Sequence, residues 1–283
     1  MRLAVSVVLV FIVELCAKAD DWTLPKARIY ASENEEFQFS VVPDKDKHIG
    51  FCKGTLSTGG FSRKEIWSRF LANNVAPVDA FVSNSGRFVI TRDEWHALGR
   101  LPLVIYGKTG EIVKVLNLEY LTNAVGADQT SSTLDRNWAQ HALFFFGPDD
   151  NTLLVRFKSG KLICIMLITG WVFDLDASTS RSKMNQLLKD FAAGKVREKC
   201  LQLLRSGVPE GTTTGAIIAG QERITNGVPL LLPLLRDNSN FTRNTPTGSS
   251  QKVYYVRTAA RDALKALGVT YAEPIVEEPE ARP

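Results

Sequence analysis

The chain has 283 residues, 45% hydrophobic and 23% charged, which is the composition of a globular protein with room for one large domain or two smaller ones. Its formal charge of +4 is carried by interspersed Lys, Arg, Asp and Glu. A nucleic-acid binder concentrates its cations on one face, so nucleic acid is excluded as a partner.

Residues 1–19 read as a secretory signal peptide. Arg2 supplies the positive start, Leu3 to Val13 is an apolar run with Ser6 its one polar residue, and Ala17-Lys18-Ala19 places small residues ahead of Asp20. As a helix the run spans about 16 Å, roughly half of a hydrocarbon core, and Glu14 ends it. Cleavage removes Arg2, Lys18 and Glu14 and leaves a charge of +3. The expectation is a secreted or periplasmic protein that does not span a membrane after cleavage. A lipoprotein processed at Cys16 is a lesser alternative, because Leu15 and Glu14 are not the small residues such processing favours. The remaining Cys52, Cys164 and Cys200 form no CxxC pair and are read as small buried apolar residues.

Residues 20–176 have the period of strands. Arg28 to Ala31, Phe37 to Val41, Gly50 to Leu56 and Glu65 to Phe70 form a first group of short apolar runs. Asp79 to Ser83, Phe88 to Thr91, Leu103 to Tyr106 and Ile112 to Leu118 form a second. Ala142 to Phe146, Leu153 to Phe157, Lys161 to Leu167 and Trp171 to Leu175 form a third. Turn residues divide them: Glu33-Asn34-Glu35, Asn84-Ser85-Gly86, Lys108-Thr109-Gly110, Ser159-Gly160 and Thr169-Gly170. The grammar of "FVSNSGRFVIT" followed by "LVIYGKTGEIVKVLNL" resembles a blade of the WD-type and related propellers. That resemblance implies four-stranded meanders. Three groups fall short of the four or more blades a closed propeller needs, so the expectation is either an incomplete propeller-like array or a sandwich of twisted antiparallel sheets, with the second half covering the sheet edges.

Residues 177–270 change to helical period. Met184, Leu187, Leu188 and Phe191 share a face, as do Val196, Cys200, Leu203 and Leu204. Leu230, Leu231, Leu234 and Leu235 form a third such set, and Val256, Ala259, Ala260, Ala263, Leu264 and Leu267 a fourth. "LLKD" at Leu187 to Asp190 returns as "LLRD" at Leu234 to Asp237, and "VR" at Val196-Arg197 returns at Val256-Arg257. "VPLLLPLLRD … VRTAARDALKALG" is similar to a HEAT repeat, which implies that the Asp ends one helix and the Arg opens the next. Asp190, Arg197, Asp237 and Arg257 are read accordingly as structural. The stretch "NSNFTRNTPTGSS" reads as a loop, and residues 271–283, rich in Pro and Glu, as a disordered tail. The fold class is therefore α+β: an antiparallel β-meander domain followed by a short HEAT-like stack.

The chain lacks the usual nucleophile-elbow, zincin, P-loop and dinucleotide motifs. No cofactor or metal is expected. "DLDAST", Asp174 to Thr179, lacks the glycine and glutamate of a calcium loop and reads as a strand end with a helix cap. The best cluster is Asp93, Glu94, Trp95 and His96 after the strand ending at Thr91. Asp93 could orient His96, and Trp95 could stack on a ligand; alternatively the polar residues face water and Trp95 covers a sheet edge. "NWAQH" brings Trp138 and His141 before another strand, and stacked blades would gather Trp95, His96, Trp138 and His141 on one end. The leading reading is a non-enzymatic binding or scaffold module for another protein. The alternative is a hydrolase or carbohydrate-active enzyme using Asp93, His96 and His141.

Overall fold

The computed structural model describes residues 25–43, 52–60, 63–95, 97–125, 138–139, 141–177, 183–244 and 250–272. The segment read as a signal peptide, His96 and residues 273–283 of the expected tail lie outside the described residues.

Twelve strands form three four-stranded antiparallel meanders, each in sequence order. The first sheet is β1 Arg28–Ala31, β2 Phe37–Val42, β3 Lys53–Thr58 and β4 Glu65–Phe70. The second is β5 Pro77–Val82, β6 Val89–Glu94, β7 Leu103–Tyr106 and β8 Ile112–Leu116. The third is β9 Leu143–Phe146, β10 Thr152–Arg156, β11 Leu162–Met166 and β12 Val172–Asp174. α2 Lys183–Arg205, α3 Pro209–Gln221, a 3-10 turn Thr225–Gly227, α4 Val228–Leu234 and α5 Tyr255–Ala266 follow. A short helix, α1 Leu118–Val125, lies between β8 and β9, with Asn117 Oδ1 accepting from the Tyr120 N–H at 2.7 Å at its start.

The sheets stack face to face, and the two-residue period of each strand explains how. In the second sheet Val89, Val104 and Tyr106 point into a core shared with Phe39, Leu56 and Trp67 of the first. The alternating Ile90, Leu103 and Ile105 point the other way, into a core shared with Leu153, Val155, Ile163 and Ile165 of the third. Leu154, Leu162 and Cys164 of the third sheet face a further core made with the helices. Strands such as "LVIY" are apolar throughout because both faces are buried. The outer face of the first sheet alternates instead: Thr55 and Ser68 meet there at 2.8 Å while Leu56 and Trp67 turn inward.

The helices therefore cover the apolar face of the third sheet, whereas the sequence reading had them cover sheet edges. α2 carries its buried residues every fourth position, at Leu188, Ala192, Val196, Cys200 and Leu204. The HEAT resemblance breaks the chain between Asp190 and Arg197; the structure runs α2 straight through both, since nothing there terminates a helix and the apolar stripe continues. The second Asp and Arg do sit at helix ends: Arg257, in the first turn of α5, donates from Nε to the carbonyl of Asp237 just past α4. The loop read at "NSNFTRNTPTGSS" is in part a hairpin, β13 Phe241–Asn244 paired with β14 Ser250–Val253. This hairpin and α1 are the exceptions to a strand half followed by a helix half.

One turn recurs in all three sheets. Between the first two strands of each, an N–H reaches the carbonyl five residues on: Ser32 to Phe37 at 2.9 Å, Ser83 to Phe88 at 3.0 Å and Gly147 to Thr152 at 2.9 Å. The left-handed position falls at Glu35, Gly86 and Asp150, with φ of 60°, 65° and 56°. These tips touch in series. Asn34 N–H donates to Asn84 Oδ1 at 2.9 Å, and Ser85 N–H donates to Asp150 Oδ2 at 2.6 Å.

Candidate functional site

β6 continues past Thr91 to Glu94, and both acids at its end are buried, Asp93 at 0% and Glu94 at 2% exposure. They do not face water. Glu94 Oε2 accepts from the Asn74 N–H at 2.9 Å, and Oε1 from those of Val75 at 2.8 Å and Ala76 at 3.4 Å. One carboxylate thus satisfies three successive backbone donors in the link between the first and second sheets. Asn73 ties the same link back, donating to the Asp93 carbonyl at 2.8 Å and accepting from Thr91 Oγ1 at 2.8 Å.

Asp93 Oδ1 accepts from the Gly99 N–H at 2.9 Å and from Trp138 Nε1 at 2.8 Å, while Oδ2 lies 3.2 Å from the Arg92 guanidinium. Burial raises the Asp93 carboxyl above its ordinary range, against the lowering effect of these donors. Its oxygens are engaged and shielded from solvent, which is the environment of a structural carboxylate.

The other predicted site residues are spread over the layers. Trp95 is half-buried against the core of the first two sheets, its N–H donating to Ala76 O at 2.8 Å, with the Arg28 guanidinium 5.3 Å from its ring centre. Trp138 lies in the core of the second and third sheets. His141 Nδ1 is 2.8 Å from Thr214 Oγ1 on α3. Thr214 gives its own proton to the Glu210 carbonyl at 2.9 Å, so the shared proton belongs to Nδ1. Burial first, then the charge of Lys158, holds the His141 imidazole below its usual value. Asp93 and Trp138 are brought together by their hydrogen bond.

The seam between strands and helices also carries a buried guanidinium. Arg156 of β10, 2% exposed, donates from Nε to Glu222 Oε1 at 2.9 Å and from Nη2 to Gln221 Oε1 at 3.1 Å, both just beyond or at the end of α3. Nη1 donates to Phe157 O at 3.1 Å. The three described cysteines, Cys52, Cys164 and Cys200, are buried and free, and burial pushes the Cys52 thiol up to about 12. That makes them inert packing groups.

The opening that the sequence reading missed lies on the other side of the third sheet. A cleft of about 290 Å³ is lined by Lys114, Val115, Leu116 and Asn117 at the end of β8, Tyr120 of α1, and Gly170 and Trp171 of the β11–β12 turn. Of the four described tryptophans, Trp171 alone is exposed, at 61%. Its ring meets Phe173 edge-on at 6.3 Å, and Tyr120 and Val115 are also exposed. β8 ends its sheet and pairs only with β7 among the described residues. Among the described lining residues Lys114 is the one that carries a charge. A large apolar ring placed in water at a turn costs hydration free energy that burial against a partner recovers. The sequence signal was "ITGWVF", in which an aromatic directly follows the turn glycine.

No group of acids, histidines or cysteines able to hold a metal occurs among the described residues, and none of their helices is long and apolar enough to cross a membrane. No protein-family model and no curated protein sequence matches the chain. Among solved structures it is similar to the "Crystal structure of HIRA(644-1017)", at 10% identity and a TM-score of 0.28, over 87% of this chain and 93% of that chain. A likeness at that score decides nothing about function.

Proposed function

We propose that the protein is an exported, non-enzymatic binding module that takes an extended apolar segment of another protein into the cleft beside Trp171. The exposure of Trp171 carries this reading. Tryptophan and tyrosine dominate the energetics of protein contacts, and here one of each lines a single concavity with an exposed valine. An unpaired edge on β8 offers backbone donors and acceptors to an extended chain. Lys114 favours a segment that carries an acidic residue. The three stacked meanders would serve as an incomplete propeller-like array, and the helices as a short HEAT-like stack, that hold the cleft rigid.

The test places a photoreactive phenylalanine analogue at position 171, in protein passing through a secretory compartment. A second protein carries the analogue at position 184, where Met184 is equally exposed on α2. Crosslinking at 171 to an extended apolar peptide of one partner, absent at 184, supports the reading. Equal capture at both positions, or adducts only with a second copy of this chain, overturns it. Export is checked by the mass of the mature chain, which begins at Asp20 if the signal is removed.

A further inference from the structure

We propose that Asn240 is a modification site that accepts an N-linked oligosaccharide. The proposal rests on the export reading above. Asn240-Phe241-Thr242 is the one Asn-x-Ser/Thr triplet without proline in the 283 residues. An acceptor triplet must also be reachable, and the structure supplies that condition. Asn240 is exposed and stands immediately before β13, a strand of a two-stranded hairpin that, among the described residues, pairs only with β14. Among the described residues its side-chain amide bonds from Nδ2 to the Asn238 carbonyl at 2.9 Å. Phe241 is 50% exposed, and Thr242 is exposed beside it. No core residue has to move for the amide to enter an enzyme. Nothing in the helical core depends on it either, since the hairpin leaves that core between α4 and α5.

The co-reactant is an oligosaccharide linked through its first sugar to a polyprenyl diphosphate, presented by the oligosaccharyl transferase of a secretory compartment. A bond forms between Asn240 Nδ2 and the anomeric carbon of that sugar. The bond from the same carbon to the diphosphate oxygen breaks, and the diphosphate departs with the electron pair. The amide nitrogen loses one proton to the medium. No oxidation or reduction takes place. The Thr242 hydroxyl, two residues on, is the recognition element for the enzyme.

The full chain is expressed in a eukaryotic secretory line and treated with a peptide-N-glycosidase. The expected result is one glycan, lost on treatment with conversion of Asn240 to Asp in the peptide map. Asn240→Gln and Thr242→Ala abolish it, Thr242→Ser retains it, and all three keep the parent melting temperature. Secreted chain beginning at Asp20 but without a glycan overturns the site and leaves export standing. Unprocessed chain held in the cytosol overturns the export reading instead. In that case the same chain behind an unrelated cleavable leader decides the site: a glycan on Asn240 upholds it, and its absence overturns it.

Discussion

Trp138 donates its indole N–H to Asp93 Oδ1 at 2.8 Å, with both residues buried and 45 positions apart in the chain. The same oxygen takes the Gly99 N–H, so one acid holds the end of the second sheet, the following loop and the approach to the third sheet. Asp93→Ala leaves the buried Trp138 N–H and the half-buried Gly99 N–H without their acceptor and should cost about 2 kcal/mol of stability. Asp93→Asn keeps an acceptor and tolerates the left-handed backbone at φ 54°, and should cost about 1 kcal/mol. Urea denaturation followed by tryptophan fluorescence measures both.

Arg156 and Glu222 should behave unequally. Glu222→Ala strands a guanidinium that is 2% exposed, while Arg156→Met fills much of the same space without a charge. Glu222 is itself 40% exposed, which moderates the first loss to about 2 kcal/mol, and the second should be smaller. In Glu222→Ala, hydrogen exchange of α3 amides should quicken before that of β6, because the contact joins α3 to β10.

His141 sets an acid limb. Its folded value lies below the unfolded one, near 6.5, because burial and Lys158 oppose the charge. The stability it contributes is therefore present above the unfolded value and is lost as pH falls through the lower folded value. His141→Asn suits the backbone at φ 60° and removes the titration. The wild-type melting temperature should fall more steeply than that of the variant as pH drops below about 6.5.

Gly60 and Gly86 separate strain from clash. Both have positive φ, 82° and 65°, but a Cβ at Gly60 meets no atom of the described residues within 4 Å, while one at Gly86 lies 2.4 Å from the Phe37 ring. Gly60→Ala should cost about 1 kcal/mol from backbone strain alone. Gly86→Ala should cost about 2 kcal/mol more, because Phe37 must move at the junction of two sheets. Thermal melts of the two variants give the difference directly.

The strands were legible wherever their residues alternate or are fully apolar. Ile112 to Leu116 and Leu103 to Tyr106 follow those patterns, although the alternation runs on to Leu118, which opens α1, and the turns at Asn84-Ser85-Gly86 and Ser159-Gly160 fall where glycine's left-handed φ is used. What the rhythm left hidden was burial by tertiary hydrogen bonds. Asp93 and Glu94 look like a wet loop because nothing near them in sequence announces the unsatisfied N–H groups of Asn74, Val75 and Ala76. The length of α2 was hidden for a related reason. The Asp190 and Arg197 signals suggest helix ends, but the four-residue stripe from Leu188 to Leu204 fits one uninterrupted face against the third sheet. The cleft escaped because Trp171 reads as a strand residue, and only the meeting of β8, α1 and the β11–β12 turn leaves it uncovered.

The chain of tips from Asn34 through Asn84 and Ser85 to Asp150 has a mechanical consequence. A meander held to its neighbours only through apolar faces could slip sideways or trade places with its counterpart in a second molecule. Here each tip is pinned to the next by directional bonds, so any exchange of one sheet between copies must first break Asn34–Asn84 or Ser85–Asp150. A force applied at the tip between β1 and β2 is shared along that row with the tip between β9 and β10.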